Sequence, residues 1–261
     1  MPPLRSSLRF ALCAALLCLS TACRAEEPPA EAALPELGLM GTIPIYWGEA
    51  GDVGELVAGG SAGHWARAQL EAEFSLRPLD ALSDDSLAGL DALLLVQPRA
   101  LGPAENVALD GWVRAGGRLL LFADPMLTGD TRFAIGDRRR PQDVILLSPI
   151  LAHWGLELEF EEEQLDGTVL ILTTEVPLPV ELAGSLALRE GEAQCRHLGA
   201  RVLAQCAIGR GGALILADAA LLDLHDPDPA AAAAFGWLLD EAFDKNGEST
   251  GNEAGGPGRA D

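Results

Sequence analysis

The sequence predicts an α/β domain in which a mostly parallel β-sheet is covered by helices on both faces. First, strand-like and helix-like segments alternate along the chain. Second, the runs at 91–96 (DALLLV) and 118–123 (RLLLFA) are apolar after their first residue, as expected for strands buried on both faces. Third, Pro103 and the pair Gly116-Gly117 bracket the segment between those runs, which is the usual punctuation of a helix.

Each element follows from a local pattern of apolar residues and turn residues. We expect a first strand at 42–47 (TIPIYW), a helix at 64–74 with a mostly apolar face, and a short extended segment at 75–79. The remaining predictions, in chain order, are a strand at 91–96, a helix at 103–115, a strand at 118–123, a short helix at 148–154, strands at 156–160 and 168–172, a β-hairpin insertion containing Cys195 and Cys206, a strand at 213–217 and a helix at 229–243.

The N-terminus has the organisation of a bacterial export signal. Arg5 and Arg9 precede an apolar run that is too short to cross a bilayer as a helix. Residues 19–23 (LSTAC) resemble a lipoprotein box, so we expect cleavage before Cys23 and lipidation of Cys23. Ordinary signal-peptidase cleavage and a retained membrane anchor are the alternatives.

Composition then divides the chain into four parts. We expect a signal peptide at 1–22, a tether rich in proline and glutamate at 23–37, the α/β domain at 38–243 and a disordered tail at 244–261. This organisation predicts a periplasmic protein of a Gram-negative bacterium, anchored by lipid to the inner or the outer membrane.

The charge balance argues against nucleic acid as a partner. The chain has 18 basic and 39 acidic residues and a formal net charge of −21. A field of that sign repels polyanions.

Cysteine usage predicts one disulfide. Cys195 and Cys206 lie in two strand-like stretches joined by Gly199-Ala200, and a hairpin would place them side by side. The alternative is two ordinary buried thiols.

Three local motifs do not carry the chemistry that they suggest. The G-x-S-x-G pattern at 59–63 is not preceded by the buried strand that a hydrolase nucleophile needs. The glycine-rich run at 209–212 leads into a strand, whereas a phosphate cradle leads into a helix. The run at 225–228 (HDPD) could ligate a cation, but its acidic residues precede a helix, and capping of that helix accounts for them. The histidines lack metal-ligand spacing, so we predict neither a metal nor a cofactor.

The candidate binding residues follow the predicted strands, where open α/β sheets bind ligands. Tyr46 and Trp47 form an aromatic pair that would suit a sugar, and arginines in the loop after Asp124 would suit a small anionic ligand or an acidic surface of a partner. Pairing of these arginines with Asp130, Asp137 and Asp143 is the alternative. The candidate set is Trp47, Glu49, Gln97, Arg99, Asp124, Arg132, Arg138, Arg139 and Arg140.

Residues 87–127 (LAGLDALLLVQPRALGPAENVALDGWVRAGGRLLLFADPML) carry a family resemblance. They resemble the periplasmic domain of the gliding-motility-type ABC-transporter auxiliary proteins, an "ABC-type uncharacterised transport system". The shared features are the strand at 91–98, the helix ending at Gly116-Gly117, the strand at 118–125 and the strand at 209–218. The resemblance covers about residues 38–243 and implies a flavodoxin-like or class I glutamine amidotransferase-like fold.

The resemblance also implies a function. No cysteine lies near the strand that ends at Asp124, so the chain lacks the amidotransferase nucleophile. We therefore expect a non-catalytic accessory or ligand-binding domain, with ABC-transporter membrane subunits or another envelope protein as partner. The alternatives are an envelope glycan hydrolase that uses Glu49 and Asp124, and a structural protein that binds a partner through a flat apolar patch.

Overall fold

The computed structural model describes residues 33–48, 63–173, 175–223, 227 and 229–243. The chain divides into two units after Ala33, and every element below belongs to the unit that begins at Leu34. Several predictions lie outside the described residues: the signal peptide, Cys23, most of the tether, Glu49, most of the motifs at 59–63 and 225–228, and the tail from 244.

Strands and helices both contribute to this unit. The strands are β1 (Glu36–Gly41), β2 (Ser75–Pro78), β3 (Ala92–Val96), β4 (Arg118–Phe122), β5 (Leu156–Glu159), β6 (Val169–Leu172), β7 (Pro177–Val180), β8 (Ser185–Leu188), β9 (Gln194–His197), β10 (Leu203–Ile208) and β11 (Gly211–Leu216). The helices are α1 (Trp65–Glu71), α2 (Asp84–Leu87), α3 (Pro103–Arg114), α4 (Ser148–Trp154), α5 (Ala220–Asp223) and α6 (Pro229–Phe243).

Within the described residues, the main sheet contains seven strands in the order β2-β1-β3-β4-β11-β10-β9. The pairs from β2 through β11 are parallel, whereas β10 is antiparallel to both β11 and β9. All five residues of β3 are buried. Because successive side chains of a strand point to opposite faces, this continuous burial means that both faces of the sheet are covered there. The prediction of a mixed α/β fold with a mostly parallel sheet is therefore confirmed.

The first strand lies six residues earlier than the sequence predicted. Ile43 and Ile45 are buried, as the apolar pattern at 42–47 suggested, but their backbone turns instead of pairing. The true strand, β1, contains Gly38 and Gly41, which made it resemble a loop. Gly41 is required by close approach, because a Cβ there would lie 2.1 Å from the carbonyl oxygen of Val96.

The helix predictions hold with small changes at their ends. His64 caps α1 by accepting the backbone N–H of Ala66, and its Nε2 lies 2.6 Å from the carbonyl oxygen of Leu222. Helix α6 packs against β4 and β11, with Phe235 against Phe122. Among the described helices, none is both long and apolar enough to cross a membrane.

Four antiparallel strands lie between α4 and β9, and the sequence analysis identified only two of them. β5 pairs with β8, and β6 pairs with β7. β7 was missed because Pro177 and Pro179 argue against a strand: proline donates no hydrogen bond to a ladder.

The predicted disulfide is present. Cys195 of β9 lies directly opposite Cys206 of β10, and the two sulfurs are bonded at 2.01 Å.

Replacing Gly41 by alanine should destabilise the fold. Its new Cβ would meet the backbone of β3, so we expect Gly41→Ala to lower the free energy of unfolding in urea by about 1–3 kcal/mol. Gly111→Ala is the matched control, since nothing lies within 4 Å of a Cβ there and the residue is inside α3. That variant should gain about 0.5–1 kcal/mol. Equal effects of the two substitutions would contradict the close approach of β1 and β3.

Breaking the disulfide should cost about 3 kcal/mol, because it closes a loop with a sequence separation of 11. We expect the double variant Cys195→Ala/Cys206→Ala to show this loss in urea unfolding. A reducing agent should destabilise the parent by the same amount and leave the double variant unchanged. No effect of reduction on the parent would contradict a stabilising bond.

Candidate functional site

The carboxyl ends of the parallel strands meet at one edge of the main sheet. Thr42 follows β1, Gln97 follows β3, Asp124 lies two residues past β4, and Asp218 lies two residues past β11. A ligand site was predicted at this edge from the sequence. Gln97, Asp124 and Asp218 are the buried polar residues of the described chain, and each has a relative exposure of 0%.

Gln97 joins the strand ends to one another. Its side-chain amide donates to the carbonyl oxygens of Asp124 and Gln142, both at 2.9 Å, and its Oε1 accepts the backbone N–H of Asp124 at 2.9 Å. Its backbone adopts a φ of +46°, a conformation that non-glycine residues rarely adopt. All polar atoms of this side chain are therefore used within the protein.

A loop closes over this edge through Gln142. The backbone N–H of Gln142 donates to Oγ1 of Thr42 at 3.0 Å, and the Thr42 hydroxyl donates to the carbonyl oxygen of Gln97. Further along the same loop, the N–H of Ile145 donates to the carbonyl oxygen of Asp124 at 3.0 Å. The segment after β4 is thus fixed onto the strand ends.

Asp124 is a buried carboxylate held by backbone donors. Its Oδ1 accepts the N–H of Met126 at 2.7 Å, and its Oδ2 accepts the N–H of Ala219 at 2.9 Å. Burial raises the pKa of this carboxyl to about 6, and these two hydrogen bonds offset part of that rise. With no exposed surface, Asp124 cannot reach a substrate in this conformation.

Asp218 is the counterpart of Asp124 on the neighbouring strand. The register that pairs Phe122 with Leu216 places Asp124 and Asp218 at equivalent positions. Asp218 accepts the N–H of Glu181 at 3.0 Å and that of Ala220 at 2.9 Å. The sequence analysis did not select Asp218 as a site residue. The signal was present, since both strands are followed by the same dipeptide, Ala-Asp.

Arg99 is engaged in an internal ion pair. Its guanidinium donates two hydrogen bonds to the carboxylate of Glu105, both at 2.8 Å, and a third to the carbonyl oxygen of Asp80. The hydrogen bond from Arg99 lowers the pKa of Glu105 to about 2. Glu105 also accepts the N–H of Gly102 at the start of α3, so this pair fixes the helix N-terminus.

In the arginine-rich loop, two arginines form internal ion pairs of the kind that the sequence analysis gave as the alternative to ligand binding. Arg139 is paired with Asp137 at 2.7 Å and lies over the ring of Phe133, and Arg140 is paired with Asp143 at 2.8 Å. Arg138 is exposed and makes no ion pair within the described part of the chain. Arg132 is also exposed.

The aromatic pair after β1 borders an open groove. Trp47 is 61% exposed, its ring meets the ring of Tyr46 edge to face at 4.7 Å, and Arg67 lies over the Tyr46 ring at 4.4 Å. The groove has a volume of about 460 Å³ and also contacts Glu71. An exposed indole beside charged groups can stack on the C–H face of a sugar or on a planar ligand.

The structure therefore separates the described members of the predicted site into four groups. Gln97 and Asp124 meet in the buried network, Arg99 belongs to the start of α3, and the arginines lie in the covering loop. Trp47 borders its own groove, and Glu49 lies outside the described residues. No group of three or more potential metal ligands occurs among the residues that the structure describes.

The raised pKa of Asp124 predicts a dependence of stability on pH. The native state binds this proton more tightly than the unfolded chain does. Its contribution to stability is therefore complete below about pH 4 and is lost as the pH rises through about 6, a change of about 3 kcal/mol. We expect urea unfolding between pH 4.5 and pH 7 to show about 2 kcal/mol of this loss in the parent and none of it in Asp124→Asn.

Asp124→Asn should also lose about 1–3 kcal/mol at pH 4.5, because its NH2 group would face a backbone donor. Asp240→Asn, at an exposed position of α6, is the matched control and should change neither the stability nor its pH dependence. An unchanged pH dependence in Asp124→Asn would contradict the raised pKa.

Solved structures with partial similarity include three of different kinds. They are a β-galactosidase from Rahnella sp. R3 (15% identity, TM-score 0.47, covering 80% of this chain and 31% of that chain), the mmIFT52 N-terminal domain (13%, 0.48, 78% and 97%) and a ThuA-like protein from Bacteroides uniformis (9%, 0.46, 83% and 96%). The chain thus spans less than a third of the β-galactosidase. At these identities and TM-scores, none of the three indicates a function for this chain.

No curated protein matches the chain. A family model does: residues 54–170 match the family described as "ABC-type uncharacterized transport system". The matched segment contains β2, β3, α3, β4 and the loop that closes the strand ends. The family resemblance predicted from the sequence is therefore confirmed over residues 54–170, which match the ABC-type uncharacterized transport system family.

Proposed function

We propose that this chain is a non-catalytic accessory domain of an ABC-type transport system and acts by binding a partner protein in the cell envelope. The family match over residues 54–170 supports the association with transport. The full burial of Gln97, Asp124 and Asp218 supports the non-catalytic role, and it is the observation on which the proposal mainly rests.

The burial matters because of where it occurs. In open α/β sheets, ligands and catalytic groups lie in the crevice at the carboxyl ends of the strands. Here the corresponding polar groups are hydrogen-bonded to backbone atoms, and Gln142 is seated against them. A substrate would have to displace this network to reach Asp124.

The topology supports a flavodoxin-like arrangement as part of the proposal. The parallel strands follow the order β2-β1-β3-β4-β11, and flavodoxin-like sheets have the order 2-1-3-4-5. The class I glutamine amidotransferase-like fold implied by the family resemblance also belongs to the proposal. In this arrangement β10 and β9 extend the sheet by an antiparallel hairpin.

The proposed location is the periplasm, with lipid on Cys23 as the anchor. The sequence before the domain supports this location through its basic start, its short apolar run and its lipoprotein-like box. Trp47 and Arg138 are among the predicted binding residues that remain accessible, and the proposal assigns them to contact with an envelope ligand or partner.

Capture from membranes tests the accessory function. We expect the full chain, crosslinked in its native membrane and purified, to recover ABC-transporter subunits that mass spectrometry identifies. Cys23→Ala, which removes the proposed lipid attachment, is the control and should recover several-fold less. Recovery of envelope proteins without any ABC-transporter subunit would contradict the proposal.

The non-catalytic role needs a separate measurement. The purified protein should release no reducing sugar from cell-wall glycans, and Glu49→Gln should behave as the parent does. Release that Glu49→Gln abolishes would overturn the non-catalytic role and support the glycan hydrolase alternative.

A further inference from the structure

The strand β6 exposes aliphatic side chains that a protein of this size would ordinarily bury. It consists of Val169, Leu170, Ile171 and Leu172, of which Leu170 is 62% exposed and Leu172 is 76% exposed. Within the described residues, β6 pairs with β7 on one edge only. Exposed aliphatic edge strands are templates for pairing with another chain.

The prolines of β7 determine which backbone groups of β6 face outward. Leu170 lies opposite Pro179, and Leu172 lies opposite Pro177. Because proline has no N–H, these are the non-hydrogen-bonded pairs of the ladder. Residues in such pairs direct their N–H and C=O away from the partner strand, so those of Leu170 and Leu172 point to the open edge.

In the β6–β7 hairpin, the edge of β6 can pair with a further strand, whereas the edge of β7 lacks the N–H donors for such pairing. On the outer edge of β7, Pro177 and Pro179 occupy the positions where N–H groups would point outward, and they have none to donate. On β6, the turn at Gly199 lies close to the Leu172 carbonyl oxygen, since a Cβ on Gly199 would be 3.1 Å from it. The accessible part of the edge therefore runs from the Leu172 N–H back through Leu170.

The segment that contains this edge is acidic. The sequence from 161 to 188 contains no lysine or arginine. Its acidic residues are Glu161, Glu162, Glu163, Asp166, Glu175 and Glu181, and none forms an ion pair within the described part of the chain. Arg201 lines the groove of about 410 Å³ beside β6, but it is already paired with Glu159 at 2.7 Å.

We propose that the open edge of β6 binds an extended aliphatic segment of a partner protein that is flanked by lysine or arginine, which joins β6–β7 as a third strand. Backbone pairing with Leu170 gives affinity, contact with Leu165 and Leu172 selects aliphatic side chains, and the acidic surroundings select basic flanks. A second copy of the chain fits less well, because it would bring two such acidic segments together. This inference rests on the proposed accessory function and names the surface that the partner contacts.

A peptide tests the edge directly. The probe is a fluorescent peptide, Lys-Lys-Val-Thr-Val-Ile-Val-Lys-Lys, titrated with the full chain at about 0.15 M salt, where surface charges are largely screened beyond about 8 Å. Leu170→Pro removes the outward N–H without changing the charge or the inner ladder of β6 and β7. Leu170→Thr/Leu172→Thr removes the aliphatic groups, and Val107→Thr is its matched control on an exposed position of α3.

We expect saturable binding to the parent and to Val107→Thr, and affinity at least about tenfold weaker for both β6 variants. A peptide with proline in place of its central valine should also bind at least about tenfold more weakly. Equal affinity of Leu170→Pro and the parent, with both folded by circular dichroism, would reduce the interaction to ionic attraction and overturn the proposal. A dimer of the parent that Leu170→Pro dissociates would assign the edge to self-association and also overturn it.

Capture from crosslinked membranes separates this inference from the proposed function. If Leu170→Pro recovers ABC-transporter subunits as well as the parent does, the edge is not the contact and the accessory function stands. If the parent recovers none, the accessory function fails whatever the peptide shows. Loss of recovery in Leu170→Pro, with Val107→Thr unaffected, supports both.

Discussion

The hydrogen bonds of the Gln97 side chain hold the carboxyl edge of the sheet in its observed form. One amide group links the end of β3 to the segment after β4 and to the closing loop at Gln142. The φ of +46° at Gln97 costs roughly 1–2 kcal/mol, and the three hydrogen bonds of its side chain offset that cost. A glutamine suits this position because its amide offers both donors and an acceptor, and backbone groups of both kinds surround it.

The same network fills the edge at which open α/β sheets usually bind their ligands. An open α/β sheet leaves its strand ends free for ligands, but here the side chains after β3, β4 and β11 are hydrogen-bonded to backbone groups of the loops around them. Asp124 accepts from Met126 and Ala219, and Asp218 accepts from Glu181 and Ala220. The polar groups therefore serve the internal structure, and the proposed function accordingly assigns recognition to other surfaces.

The sequence predicted those parts of the fold that local patterns determine. The strands β3 and β4 and the helix α3 were found because apolar runs, Pro103 and Gly116-Gly117 mark their limits. The first strand was predicted too late in the chain, because Gly38 and Gly41 indicate a loop unless the neighbouring strand is known. The disulfide was found because Cys195 and Cys206 are close in sequence and lie on adjacent strand-like stretches.

The candidate site was harder to predict, since its geometry depends on residues far apart in the chain. The partners of the Gln97 side chain lie 27 and 45 positions away, which no local pattern reveals. The ion pairs of Arg99 with Glu105 and of Arg140 with Asp143, by contrast, are short-range. Pairing of the loop arginines with Asp143 was the alternative to ligand binding in the sequence analysis, whereas the pair of Arg99 with Glu105 was not predicted. In the structure, each of these two guanidinium groups is paired with a carboxylate of the same chain.

The pairing of arginines has a consequence for recognition. Arg67, Arg99, Arg114 and Arg189 are among those whose charge is neutralised by nearby carboxylates, so the excess of negative charge on the chain is carried by side chains with no such partner. Around β6 that unpaired charge coincides with an aliphatic edge strand. Long-range attraction is non-specific and is screened by salt, whereas strand addition is short-range and depends on side-chain size. Together they make the proposed contact selective: charge draws a basic segment to this face of the domain, and only an extended aliphatic segment can then pair with Leu170.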